Sequence, residues 1–594
     1  MEGIYRIFDI PYYQKGHYPQ QKALVSKKNG EWIATSIDEY IQQANYISSA
    51  LLDMGIKKGD KIALITSSNR TEWNIMDIGI LQLGAVTVPI YPTISAEDYE
   101  YILKHSESLY VFISDKSILD KLDQIKMNLP KLRGIFSFDE IPGCANWSKV
   151  LEAGKNIMNP LLIEEHKNRV HPNDLSSIIY TSGTTGKPKG VLLTHNNIVS
   201  NVFGGTERFD LTKGNFKSLS FLPCCHIFER TVLYIYQANG VSIHFAESIE
   251  TISQNLQEVK PNVMTVVPRV VEKVYDKIYA KGSELTGIKK ALFFWALGLG
   301  KDFDVPLKAG AWYNFQLKWA RKLIFSKWKE ALGGNLHYLV SGSAPLSGKL
   351  GRIFATADIP ILEGYGLTET SPVISVNDRR NNGWKLGSVG KVLSNVTVKI
   401  AEDGEILCKA PSVTQGYFKD EEKTAEAFTD GWFHTGDIGK IDEDGFLFIT
   451  DRKKEMFKTS GGKYIAPQVL ENSFKLSRFI EQVMVIGEGE KMPAALIQPN
   501  FDFLKEWANR KGISLGFSLE EVCNHPEVKE RIKQEIEHIN QKFGKWEQIK
   551  RFELTPNVWS IDTGELTPTL KLKRKVILEK YKDLYQKIYS NTKE

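Results

Sequence analysis

The feature that most constrains this chain is a short β-branched run, Ser176-Ser177-Ile178-Ile179, that passes directly into Tyr180-Thr181-Ser182-Gly183-Thr184-Thr185-Gly186-Lys187-Pro188-Lys189-Gly190. The first four residues read as a buried strand. Of the next eleven, five carry a hydroxyl, three are glycine and two are lysine. Glycines let a backbone pass close to an anion and reach positive φ, so several N–H groups can converge on phosphate oxygens. The hydroxyls add neutral donors and the lysines add charge. The alternative, a plain solvated Gly/Ser/Thr loop, does not call for this order of donors. A loop of this kind is built to hold a polyphosphate. It is not a Walker P-loop, because only two residues separate Gly183 from Gly186 and Pro188 follows Lys187.

At 594 residues the chain is too long for one compact core, so two or more domains are expected. A net charge of only +5 argues against nucleic acid as a partner. The five cysteines are odd in number and lack CxxC spacing, which points to a reducing compartment and against both zinc and a disulfide framework. The N-terminus shows no basic stretch followed by an apolar one, so no signal peptide is expected. The most apolar segment, Ile78 to Pro92, is interrupted by Gln82, Gly84 and Pro89 and falls short of a membrane span. The expectation is a cytoplasmic protein.

Strands are predicted at 59–65, 84–90 and 110–114, with a helix at 72–83 between the first two. Such alternation points to parallel sheets covered by helices. Two later segments, His337 to Leu346 and Ile361 to Thr370, each read as a strand followed by a glycine turn, a pairing suited to a purine. In Gly431-Trp432-Phe433-His434-Thr435-Gly436-Asp437, an Asp at the end of a tight turn can accept two hydrogen bonds from a ribose diol. His226, in Phe221-Leu222-Pro223-Cys224-Cys225-His226-Ile227-Phe228-Glu229-Arg230, is either a satisfied core histidine or a site residue.

Residues 276–332 are different in kind. Ten Lys and one Arg face two Glu and three Asp, a net +6, among Trp295, Trp312, Trp319 and Trp328. One reading is a set of helices packed on the large domain with their lysines solvated. The other is a surface that touches anionic lipid on the inner face of a membrane.

The segment from Thr181 to Lys189 resembles the signature loop of the adenylate-forming superfamily, which includes acyl-CoA synthetases, luciferases and peptide-synthetase adenylation domains. The strings around His226 and Val267-Pro268-Arg269 look like those of long-chain acyl-CoA synthetases. The resemblance runs from about residue 20 to 580 and implies an α/β fold. A large domain of parallel-type sheets layered with helices would span residues 1–452, and a small mobile α+β domain residues 453–594.

The resemblance also assigns roles. Thr181, Ser182, Gly183, Thr184, Thr185, Gly186 and Lys189 would hold the phosphates of ATP. Ser341, Gly342, Ser343, Ala344 and Pro345, with Glu363, Gly364, Tyr365, Gly366 and Thr368, would hold adenine, the Tyr365 ring stacking on the base. Thr184 and Glu369 would bind Mg²⁺, whose preference is for hard oxygen ligands. Asp437 and Arg452 would bind ribose, and Lys454 would be the hinge. Gly461, Gly462 and Lys463 would line the coenzyme A tunnel, and His226 would lie beside the acyl carboxylate. Lys571 would be the catalytic lysine. Many relatives have Ser-Gly before that lysine where this chain has Thr569-Leu570, which leaves Lys573 as a rival.

The implied activity is that of an ATP-dependent, AMP-forming long-chain fatty acid–CoA ligase. Two other readings stand beside it: a fatty acyl-AMP ligase that loads a carrier protein, and a non-catalytic lipid- or nucleotide-binding relative. No appended carrier domain is visible, which favours free coenzyme A. A homodimer is compatible with the sequence.

Overall fold

The computed structural model describes residues 1–181, 187–211, 213–305, 310–453, 455–567 and 570–590. Ser182, Gly183, Thr184, Thr185, Gly186 and Lys454, all expected site residues, lie outside the described residues, as do Pro568 and Thr569.

A seven-stranded sheet runs in the order Ala145–Asn146, Gly134–Ser137, Tyr110–Ile113, Lys61–Ile65, Val86–Ile90, Leu175–Thr181, Lys189–Thr194. Every pairing is parallel except the last, which is an antiparallel hairpin. Its central strands are buried over nearly their whole length, as strands covered on both faces must be. The helix Thr71–Leu81 that joins two of them is buried at every residue. These elements match the strands and helix expected between residues 59 and 114.

The nine-stranded sheet is parallel through Ile361–Gly366, Tyr338–Ser341, Val263–Val266, Lys217–Ser220, Ser242–Phe245 and Leu24–Lys28. Antiparallel strands stand only at its edges. A smaller antiparallel sheet follows, built around Trp432–Ile441 and Leu447–Arg452. The helix Ile227–Ala238 is buried at all its residues and lies beneath the first two sheets' shared core.

After Arg452 the architecture changes. The sheet Ile480–Ile486, Ala494–Pro499, Phe552–Leu554 packs with the helices Pro467–Phe474, Phe501–Lys511 and Pro526–Asn540. The buried residues of this core all come from Phe457 to Leu554, and a second cluster runs from Met484 to Tyr589. A large α/β unit and a smaller α+β unit are what the sequence led us to expect.

Between residues 276 and 332 the chain contains the helices Gly287–Leu299, Ala311–Ala320 and Ser326–Ala331 and the end of Pro268–Glu284, and the four tryptophans divide. Trp328 is buried with Phe293, Phe325 and Phe354, while Trp312 and Trp319 are 70% and 43% exposed. None of the five cysteines is in a disulfide. Among the described residues no helix is long and apolar enough to cross a membrane.

Candidate active site

The phosphate-loop candidate is closed at its base by main-chain pairing. Thr181 and Lys189 are register partners in the hairpin, so the two ends of the loop are held side by side. Lys189 then places its ammonium 4.2 Å from the centre of the Tyr417 ring. Tyr417 bridges to the same strand at Val191, and its hydroxyl donates to Glu369 Oε1 at 2.9 Å. One tyrosine therefore carries a lysine on its face and the expected metal acid on its hydroxyl. No motif drew attention to Tyr417.

Glu369 sits in the 3-10 turn Thr368–Thr370, just past the strand Ile361–Gly366. That strand ends against Pro372, whose carbonyl oxygen would lie 1.7 Å from a Cβ at residue 366, so only Gly366 fits. The neighbouring parallel strand Tyr338–Ser341 pairs Ser341 with Glu363, which brings the two expected adenine segments to one sheet end. The Glu363 carboxylate accepts the Leu346 N–H at 3.3 Å, and burial pushes its pKa up to about 7. Ser343 adopts φ 69°, a left-handed conformation that a non-glycine residue holds at a cost. Ala344 and Pro345 are exposed.

The ribose candidates meet across two strands. Asp437 on Trp432–Ile441 is the register partner of Arg452 on Leu447–Arg452, so both side chains share one face. Arg452 Nε lies 3.4 Å from Asp437 Oδ1, and the Tyr365 hydroxyl donates to Asp437 Oδ2 at 2.7 Å. Burial raises the Asp437 pKa while Arg452 opposes the rise. The turn lies earlier than the sequence suggested: Asp437 is inside a ten-residue strand, and Gly436, at φ 72°, supplies the local kink. The Tyr365 phenol is thus tied to the acid expected to bind ribose.

Lys571 joins this group from the C-terminal unit. The residue is exposed, yet protein crowds the ammonium, and this desolvation together with the Arg452 charge lowers its pKa to about 8. Asp437, Glu455 and Glu369 pull in the opposite direction. Lys573, the rival, is instead the residue that precedes the helix Arg574–Lys580, with its N–H on the Glu565 carbonyl at 2.8 Å. Lys571 is the lysine that the expected site acids feel.

His226 precedes the helix Ile227–Ala238, and its Nδ1 accepts the Phe228 N–H at 3.2 Å. Burial and the Lys571 charge lower its pKa to about 4. It is neutral at pH 7, and the bond to Phe228 assigns its proton to Nε2. A neutral donor therefore lies within electrostatic reach of the Lys571 cation.

Gly461, Gly462 and Lys463 lie elsewhere. They form the exposed turn between Phe457–Lys458 and Tyr464–Ile465, and Lys463 is 5.7 Å from the Trp546 ring. Among the described residues, none of their hydrogen bonds or ring contacts reaches Glu369, Asp437 or Lys571.

Asp437 thus pairs with Arg452, Glu369 shares Tyr417 with Lys189, and the Lys571 charge is felt by Asp437, Glu369 and His226. A family model described as AMP-binding enzyme matches residues 13–418, and one described as AMP-binding enzyme C-terminal domain matches residues 455–593. The chain belongs to the AMP-binding enzyme family. A relative named long-chain-fatty-acid–CoA ligase FadD15, from Mycobacterium tuberculosis, is 35% identical over 95% of this chain and 93% of its own length. Human long-chain-fatty-acid–CoA ligase 1 is 33% identical over 95% and 83%. Among solved structures, the anthranilate CoA ligase AuaEII in complex with anthranoyl-AMP matches with a TM-score of 0.73 at 20% identity, covering 99% of each chain. A fatty acyl CoA synthetase of Mycobacterium tuberculosis matches at 0.64 and 21%, covering 98% of this chain and 99% of its own. These likenesses establish the two-unit AMP-binding fold for this family member.

Proposed function

We propose that this AMP-binding enzyme is an ATP-dependent, AMP-forming long-chain fatty acid–CoA ligase. The observation that carries the reading is the convergence of Lys571 on the Asp437–Arg452 pair, Glu369 and neutral His226. The names of the curated relatives point the same way.

The chemical problem is to join two anions. A carboxylate oxygen attacks the α-phosphorus of ATP and pyrophosphate leaves; two unit charges 4 Å apart repel by about 4 kcal/mol at an effective dielectric near 20. The Lys571 ammonium bridges carboxylate and α-phosphate, and it stabilises charge most as the bond forms. His226 Nε2–H donates to the acyl carboxylate and adds no charge that would compete with Lys571. Asp437 accepts the ribose hydroxyls and Arg452 holds Asp437 in place. Lys189 and the loop it closes retain the leaving pyrophosphate. Glu369 suits Mg²⁺: Tyr417 holds one carboxylate oxygen, the other is left for a hard cation, and Thr184 would complete the protein's share. Magnesium, when bound, neutralises part of the triphosphate charge. The thiol of coenzyme A then attacks the acyl-AMP carbonyl and AMP leaves.

For that second step the Gly461–Gly462 turn, which among the described residues makes no hydrogen bond to Glu369 or Asp437, would take the place of Lys571. The proposal divides the chain at 452/453 with Lys454 as hinge, and the separate cores before and after Arg452 support it. The test is product analysis with saturated acids from short to long, with coenzyme A present and absent. Coenzyme-dependent thioester that rises toward long chains is expected. Acyl-AMP that accumulates and ignores coenzyme A would point to carrier loading, and no AMP release with any acid would sink the ligase reading.

The reading extends to the location of the protein, in the cytoplasm with a peripheral contact to an anionic membrane. Trp312, Phe315, Trp319 and Leu323 recur three or four residues apart, each at least 43% exposed, and Lys322 sits 5.6 Å from the Trp319 ring. Aromatic bodies with cationic flanks suit the headgroup boundary. In vesicle flotation, we expect the chain to rise with anionic vesicles and Trp312→Ala/Trp319→Ala to stay at the bottom. Equal flotation of the two would remove this face from the reading.

A further inference from the structure

The mechanism above leaves a set of contacts between the two units unused. The helix Pro268–Glu284 leaves the large sheet directly after Val263–Val266, and it faces the start of the strand Ile480–Ile486. Arg269 pairs with Glu481 through one guanidinium nitrogen and with Glu272 at 3.1 Å through another. Two turns along, Asp276 lies 3.9 Å from Arg478 Nε. The Arg478 guanidinium is also held between rings, 5.1 Å from the centre of Tyr279 and 4.3 Å from that of Phe503. Asn500 donates to the second oxygen of Glu481 at 3.3 Å, which orients that carboxylate toward the helix. Lys475 stands in the same cluster, and burial lowers its pKa despite Glu471, Glu272 and Glu481 nearby.

The contact pairs one positive and one negative residue from each side in crossed order. Arg269 and Asp276 on the helix meet Glu481 and Arg478 on the small unit. Such a pattern fixes register as well as attraction, because a shift along the helix would set like charges together. Among the described residues, none of these ion pairs includes Glu369, Asp437, Arg452 or Lys571. Near the chain crossing, among the described residues, Lys453 pairs with Asp403 at 2.6 Å and with Glu405 at 2.8 Å, and Glu455 lies 3.7 Å from Arg452 Nη1 and 3.5 Å from Arg574 Nε. A link beside a hinge leaves the small unit free to swing about it; a second link far from the hinge removes that freedom. In the orientation so fixed, Lys571 is within electrostatic reach of Arg452, Asp437, Glu455 and Glu369.

We propose that the Arg269–Glu481 and Asp276–Arg478 pairs form a clasp that selects the orientation for acyl-AMP formation, making Arg269 and Glu481 positioning residues for the first half-reaction alone. This rests on the ligase reading. The pairs are partly exposed, with side chains 27–51% accessible, so each is weak enough to open during a turnover. Opening the clasp frees the small unit to present another face.

The test uses the full chain with Arg269→Glu, Glu481→Arg and the double exchange. Acyl-AMP formation is followed as pyrophosphate release without coenzyme A; thioester formation is followed from supplied acyl-AMP and coenzyme A. Each single reversal is expected to slow the first by roughly tenfold and to leave the second within about twofold, while the double exchange recovers most of the loss. Equal slowing of both half-reactions, or no recovery in the exchange, would overturn the proposal. Hydrogen exchange along Pro268–Glu284 without any substrate gives a readout that does not depend on the reaction. Faster exchange in each single variant and protection in the double are expected, and unchanged exchange counts against the clasp even if no acid proves to be a substrate. If the wild type adenylates nothing while exchange behaves as expected, the ligase reading fails and the clasp stands as a domain contact.

Discussion

Lys571→Ala slows acyl-AMP formation by about a hundredfold or more, while thioester formation from supplied acyl-AMP stays near the wild-type rate. The magnitude follows from what one charged donor aimed at a developing anion contributes, on the order of 3–4 kcal/mol in a site shielded from water. The asymmetry follows from the proposed exchange of Lys571 for the Gly461–Gly462 turn between the two steps. The pH dependence carries the same signature. With a pKa of about 8, Lys571 is cationic below that value and neutral above it. The bridging charge is therefore present at pH 7 and is lost as pH rises, and the first half-reaction should fall about tenfold per unit well above pH 8. His226, with a pKa of about 4, is already neutral across this range and adds no limb near neutrality. In Lys571→Arg the guanidinium does not titrate below pH 12, so the alkaline limb should vanish even though the rate is reduced. Steady state with purified protein and rapid-quench measurement of acyl-AMP decide the matter. An alkaline limb that persists in Lys571→Arg would assign the titration to another group.

The fold and the site were legible in the sequence to different depths, for reasons that particular residues make plain. The strands at 61–65, 86–90 and 110–113 and the helix between the first two carry their signal locally. Near-continuous apolar runs bounded by glycine and charge can only be buried elements of a covered sheet. The strands of the two segments expected to hold adenine were legible because strand and glycine turn are adjacent in the chain. Asp437 was found by its neighbours, but its setting was misplaced, since Gly431 and Gly436 both read as turn residues and only cross-strand pairing with Arg452 shows that the strand continues through Gly436.

Tyr417 was invisible for a different reason. Nothing in its own stretch marks it, and its meaning comes from Lys189 and Glu369, more than two hundred and nearly fifty residues away. The clasp was equally hidden, because Arg269 and Glu481 are ordinary surface charges until two units of the fold bring them together. The basic region shows the opposite limit. Its composition allowed packed helices or a lipid-facing surface, and the structure buries Trp328 while leaving Trp312 exposed.

The Glu229-Arg230 dipeptide concealed the largest structural commitment in the chain. Both residues are fully buried, in a helix that the sequence presented only as the flank of His226. Arg230 donates from NH2 to Asp77 Oδ1 at 2.5 Å, from NH1 to Ser177 Oγ at 2.7 Å and from Nε to the Tyr234 hydroxyl at 2.8 Å. Tyr234 in turn donates to the other oxygen of Asp77, and Thr87 Oγ1 donates to Oδ1 at 2.8 Å. One guanidinium thus ties the helix Thr71–Leu81 and the helix that His226 begins to the strand Leu175–Thr181 that feeds the phosphate loop. Removing it leaves a carboxylate with no water and no countercharge. Arg230→Met should destabilise the large unit by about 3–5 kcal/mol, the usual result of stripping one partner from a buried pair. Arg230→Met/Asp77→Leu should recover much of that loss, because the stranded charge goes too. Arg230→Lys should fall between, since a single ammonium cannot serve three acceptors spread in the plane of the guanidinium. Urea denaturation followed by hydrogen exchange along Thr71–Leu81, the fully buried helix that carries Asp77, reads this unit separately from the C-terminal one. A single variant within about 1 kcal/mol of wild type would mean that water or a shifted side chain repairs the gap. The network would then be a bystander to the geometry of the phosphate loop instead of its anchor.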